Sequence, residues 1–176
     1  MFPLSDSIKA RRFPFVNILL IAATIFVFIQ QLTAANELAF IRSYALIPSL
    51  INFDDFATLI PFVSAIFLHG GFLHIISNMW FLWVFGDNVE AIMGHLKYLF
   101  FYIFCGVSAS FIQYLFIASS NLPMLGASGA IAGVLGAYLK FFPHNRIETL
   151  IPFFGLPFII AIPANFMLIY WFFTQA

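Results

Sequence analysis

An all-α polytopic membrane protein is the fold class this sequence predicts, and three observations carry the prediction. The first is composition. Of 176 residues, 63% are hydrophobic and 8% charged, with a mean hydropathy of +1.03, whereas soluble domains carry about a quarter charged residues. The second is spacing: the few charges punctuate apolar stretches long enough for helical crossings of roughly 20 residues each. The third is charge placement. With a cytoplasmic N-terminus, Lys9, Arg11, Arg12, Lys97, Lys140 and Arg146 fall on the inner side and Arg42 alone on the outer side, the bias that orients multi-pass proteins. Seven basic and seven acidic residues cancel and form no basic stripe, which argues against nucleic acid as a partner. Cys105 is the single cysteine, so no intramolecular disulfide forms and the residue reads as a small buried apolar group.

Reading the intervals in order predicts five helices in one membrane domain spanning 1–176. The first, at 13–35, follows three basic residues and resembles a secretory signal, but its apolar run exceeds the roughly 7 to 15 residues of a signal core and further spans follow. It is read as an uncleaved helix. The mixed segment from Asn36 to Asp55 interleaves Glu37, Arg42, Asp54 and Asp55 with apolar residues and reads as an interfacial loop. Pro61 and Gly70-Gly71 break the next run, placing the second helix at 72–86. The uncharged stretch from Tyr98 to Leu139 is too long for one crossing, and Ser119-Ser120-Asn121-Leu122-Pro123 near its middle has turn composition. It divides into helices at 98–118 and 123–141, and a last apolar stretch gives a fifth at 150–173.

Polar residues inside spans are costly and mark functional candidates. His74 and Asn78, four residues apart, share one face of the second helix. Ser128 is placed about five residues into the fourth helix, a depth of roughly 8 Å at 1.5 Å per residue, level with both. Gly126, Gly129, Gly133 and Gly136 form a stripe around it. By themselves the glycines favour a helix-packing face, with Ser128 as one more small residue. His74 and Asn78 equally suit a structural tie between helices. A catalytic reading needs a base to deprotonate the serine and donors for an oxyanion, and His74 and Asn78 are both donors.

The run His69-Gly70-Gly71-Phe72-Leu73-His74-Ile75-Ile76-Ser77-Asn78, followed by Gly126-Ala127-Ser128-Gly129, resembles the rhomboid intramembrane serine proteases, and the likeness extends from the first helix through the fifth. The resemblance implies a rhomboid-like helical bundle with Ser128 as nucleophile. His74, Asn78 and the Ser128 backbone N–H are then the oxyanion donors, with His69, Gly126 and Gly129 in supporting roles. Phe85-Gly86-Asp87-Asn88-Val89-Glu90 is also similar to the family, with Glu90 the implied structural anchor. No metal or organic cofactor is implied. The implied partners are transmembrane protein substrates and the lipid bilayer, and the expected location is a bacterial plasma membrane.

The sequence departs from the family in one decisive place. The family's base lies on a sixth helix in an Ala-His motif followed by glycines, and residues 1–176 contain no such segment. His95 and His144 fall in the predicted inner loops, at the wrong depth, and read as solvated. His69 and His74 already match other family positions. The first loop also has Leu59-Ile60-Pro61-Phe62 where the family commonly places a tryptophan-arginine pair, and Ala132 stands where some members have an aromatic residue. Five helices of an expected six are therefore present, and without the sixth the glycine stripe is expected to lie open. The expected function is a serine endopeptidase cleaving in or near transmembrane segments, inactive as residues 1–176 alone. The rival is a non-catalytic relative that binds transmembrane helices. A small transporter would need ion-pairing residues inside the spans, which the predicted spans lack.

Overall fold

The computed structural model describes residues 1–8, 12–153 and 156–174. The first apolar stretch forms helix α1, Phe15–Thr33, which begins after Pro14 with no side-chain cap of its own. Unpaired first-turn N–H groups are costly away from water. Glu90 supplies the missing acceptors from another helix: its carboxylate takes the N–H of Val16 at 2.9 Å and of Asn17 at 2.7 Å. The implied anchor is thus a buried interhelical cap.

The segment expected to be a loop contains helix α2, Glu37–Tyr44, capped by the Asn36 side chain accepting from Ala39 N–H at 3.0 Å. Glu37 in the first turn and Arg42 in the last complement the helix dipole. Short 3₁₀ turns at Pro48–Leu50 and Phe56–Leu59 lead into α3, Pro61–Ser64, and a further turn at Ala65–Phe67. The chain then bends by 79° into α4, which runs Phe72–Met93. The helix continues beyond the expected end at residue 86, because the charges Asp87 and Glu90 are buried or bonded rather than terminating. It stops at Gly94, whose φ of +79° is readily adopted by glycine. Helix α5, His95–Ile117, follows at once, and α6 is Ser128–Phe141.

The stretch expected to be a fifth helix at 150–173 is strand in its first half and helix only in its second. Strands β1, Phe2–Asp6, β2, Arg146–Phe153, and β3, Leu156–Pro163, form an antiparallel sheet in that order. Only Ala164–Thr174 is helical, as α7. The register pairs Arg146 with Pro163 and Phe153 with Leu156, while Phe2 opposes Leu150 and Asp6 opposes Ile147. Pro152, Pro157 and Pro163 interrupt any helix over this stretch, and the isoleucines between them favour strand. Hydropathy carries neither signal.

Two helices, α1 and α5, are each long and apolar enough to cross a membrane, and the bent pair Phe56–Phe67 with α4 counts as a third. Helices α6 and α7 are shorter. Among the described residues there are thus two or three candidate spans by length and composition, and the count of five is not confirmed. Helix α6 is packed between α4 and α5 through a core that includes Leu82, Phe85, Tyr98, Ile131 and Tyr138. The glycine stripe does not lie open. A Cβ at Gly129 would overlap that of Ala109, and one at Gly133 would overlap Cys105, both on α5; only Gly136 faces free space. The stripe at Gly129 and Gly133 is covered by α5, so the openness expected there is not found.

Candidate active site

His74 lies in the first turn of α4 and Asn78 one turn further on, as the four-residue spacing requires. Ser128 differs from expectation: it opens α6 instead of lying five residues inside it. The depth of roughly 8 Å inferred from that placement therefore lapses. What brings the two helices together is the turn before Ser128. Gly126 has a φ of +122°, a conformation other residues rarely adopt. Its N–H donates to the carbonyl of Ala65 at 2.9 Å. A Cβ there would come within 2.9 Å of His74 Cε1 and 3.0 Å of Nε2. The edge of the His74 ring is thus seated against the turn two residues before Ser128, in space that only glycine leaves free.

The Ser128 hydroxyl is half-buried and makes no hydrogen bond among the described residues. No side chain caps the start of α6, so its first-turn N–H groups point out of the helix as free donors. Asn78 is fully buried, and neither its amide nitrogen nor its amide oxygen has a partner among the described residues. Leaving such a group unpaired costs about 1 to 3 kcal/mol. His69 Nδ1 and Nε2 and the Tyr102 hydroxyl are likewise buried without a partner among the described residues.

His69 is fully buried, and its ring meets His74 edge-on with centroids 5.0 Å apart. Its position is set by Gln31 of α1, whose amide nitrogen donates to the His69 carbonyl at 2.8 Å and to Glu37 at 3.0 Å. The His69 N–H lies 3.4 Å from the Gln31 amide oxygen. Gln31 was not singled out in the sequence, although it is a buried polar residue within a predicted span, the signal that marked His74 and Asn78. Asn17 was passed over in the same way. It donates to the Leu82 carbonyl at 3.0 Å and accepts from Tyr98 at 2.8 Å.

The other two histidines are remote. His95 starts α5, and its Nδ1 lies 2.5 Å from Glu90 Oε1, so it is a bonded residue at the far end of α4 and not a freely solvated one. Glu90 is sixteen residues beyond His74, roughly 24 Å along that helix. His144 is exposed in the turn after α6. Its neighbour Asn145 bonds the hydroxyl of Tyr138, ten residues or roughly 15 Å along α6 from Ser128.

A polytopic helical membrane protein with a serine, a histidine and an asparagine gathered at one end of two packed helices is the class these features define. The chain belongs to the rhomboid family, whose Rhomboid domain model matches residues 57–176. It is 29% identical over 167 residues to the presenilin-associated rhomboid-like protein, mitochondrial, of Bos taurus, covering 89% of this chain and 43% of the relative. It is 32% identical over 126 residues to the Homo sapiens protein of the same name, covering 66% of this chain and 33% of the relative. It is 31% identical over 102 residues to rhomboid protein 1, mitochondrial, of Saccharomyces cerevisiae, covering 56% and 30%. The chain spans less than half the length of these relatives. Their names place them in mitochondria, so the expected bacterial plasma membrane finds no support there.

Proposed function

We propose that the protein is a serine endopeptidase that cleaves peptide bonds in or near transmembrane segments of other membrane proteins. Ser128 is the nucleophile in this reading, and His74, Asn78 and the first-turn N–H groups of α6 stabilise the oxyanion. The observation that carries it is the seating of His74 against Gly126, beside an uncapped helix start and an unpaired buried amide. Preorganised donors are what acyl transfer demands, and the Asn78 amide has no partner among the described residues that would occupy it otherwise. The basic-residue pattern supports a cytoplasmic N-terminus, with the site opening on the opposite side of the membrane.

The base that the family resemblance implies is a histidine in an Ala-His motif, a motif that none of the four histidines of residues 1–176 matches. Removing the base of a serine protease costs about 10⁶ in turnover, and residues 1–176 alone are expected to cleave nothing. The second reading, a non-catalytic relative that holds transmembrane helices, requires no base. A fluorophosphonate probe on the protein expressed from its whole coding sequence separates the two. Labelling that disappears in Ser128→Ala supports the protease, while a folded protein that never labels supports the binder.

A further inference from the structure

On the Ser128 side of the fold, the short helices after Asp55 lean against α5 and leave a groove of about 420 Å³. Its floor is Leu59, Phe62 and Val107, and Phe53, Phe56 and Phe111 stand at its rim. Every lining side chain is apolar. Val107 lies ten residues before the end of α5, roughly 15 Å along a helix that is long and apolar enough to span the membrane. At that depth the space is not a place for water, which needs polar partners. A peptide is excluded for a related reason: its backbone N–H and C=O groups would find no acceptor or donor in the groove. A whole helix, about 10 to 12 Å across, does not enter it. An alkyl chain has neither difficulty.

The rim adds a charge preference. Asp54 and Asp55 sit between the lining residues Phe53 and Phe56, and both are exposed. Asp55 caps Ala57 N–H at 3.0 Å, and among the described residues no cation lies within ion-pair reach of either carboxylate. Arg42 is the only basic residue between Arg12 and Lys97. An anionic headgroup meets two carboxylates here, whereas an ammonium headgroup meets two counter-charges and the faces of two phenylalanines.

We infer that this groove is a binding site for one phospholipid, with an acyl chain between α5 and the short helices and its ammonium headgroup at Asp54 and Asp55; phosphatidylethanolamine is the class that fits. The lipid braces α3 and the turn after it, where Ala65 accepts the N–H of Gly126. The inference does not depend on catalysis.

Native mass spectrometry of the full chain, released from detergent after incubation with phosphatidylethanolamine or phosphatidylglycerol of matched chains, tests it. One phosphatidylethanolamine is expected per chain, at least fivefold preferred over phosphatidylglycerol. Val107→Trp fills the floor and removes the adduct, while Phe116→Trp, exposed on the opposite face of α5 and outside the groove, keeps it. If Val107→Trp loses its circular dichroism, Leu59→Trp reads the same floor. Asp54→Asn with Asp55→Asn is expected to bring the two lipids to equal binding. An adduct that survives both tryptophans, or equal binding of the two lipids to the unaltered chain, overturns the inference.

Discussion

The contact between α5 and α6 can be tested by moving one methyl group across it. Gly129 follows Ser128, and a Cβ there would overlap the Cβ of Ala109; with that atom gone, the nearest remaining atoms are the Ala109 Cα and the Gly106 carbonyl oxygen, both at 3.9 Å. Gly129→Ala alone therefore overpacks the interface, at a cost of about 1 to 3 kcal/mol. Ala109→Gly alone costs about 1 kcal/mol in helix propensity. If the sites were independent, the double variant would lose about 2 to 4 kcal/mol. The geometry instead makes the exchange nearly neutral: the clash is absent, and the propensity lost at 109 is largely regained at 129. The double variant should fall within about 1 kcal/mol of the original protein, a coupling of order 1 to 3 kcal/mol. Equilibrium unfolding in mixed micelles, with denaturing detergent titrated against mild detergent and followed by far-ultraviolet circular dichroism, measures all three variants. Additive losses would refute the direct contact and with it the packing that sets Ser128 beside α5.

Three further outcomes follow from the same contacts. Gly126→Ala must hold a φ of +122° and place a Cβ 2.9 Å from His74, costing about 1 to 3 kcal/mol; in a His74→Ala background the loss should shrink to the backbone strain, and an equal loss in both backgrounds counts against the seating of His74. Glu90→Ala leaves two first-turn N–H groups of α1 unpaired and should cost about 3 kcal/mol or more, with Glu90→Gln losing less because one acceptor oxygen remains; a loss below about 1 kcal/mol for the alanine variant would show that α1 is capped some other way. Asp6 has its pKa raised from the ordinary 3.8 by burial, which outweighs the hydrogen bonds it accepts from Tyr138 and Asn88. Its folded form therefore holds the proton more tightly than the unfolded chain, so its contribution falls as pH rises from about 3.8 through the raised value. Amide exchange across Phe2–Asp6 should quicken over that window beyond the intrinsic rate, and Asp6→Asn should remove the change; a slope that persists in that variant refutes the assignment.

Much of the site was legible along the chain because its parts are local. A four-residue spacing puts His74 and Asn78 on one helical face in any helix, whereas Gly126-Ala127-Ser128-Gly129, read as part of a helix, holds a turn at Gly126 before α6 begins at Ser128. The membrane class was legible for the same reason, since apolar runs between rare charges report a burial environment without reference to any neighbour. Reading helix from hydropathy failed over the first half of 150–173, up to Pro163, because an apolar stretch suits a buried strand as well as a span. There the prolines and isoleucines held the information.

What only the tertiary structure decided are the relations between distant segments. The family resemblance implies Glu90 as a structural anchor but not that its oxygens close the start of α1 seventy-three and seventy-four residues away. It shows a glycine stripe but not which helix fills it, and α5 does so because Ala109 and Cys105 happen to stand opposite. It places Ser128 near a helix start, yet whether that start lies inside or at the edge of α6 depends on Gly126 bonding Ala65 across the fold. Residue types and their local period determine which groups are available for chemistry. Their mutual approach is set by close packing between elements, which is a property of pairs of segments and is not written in either one.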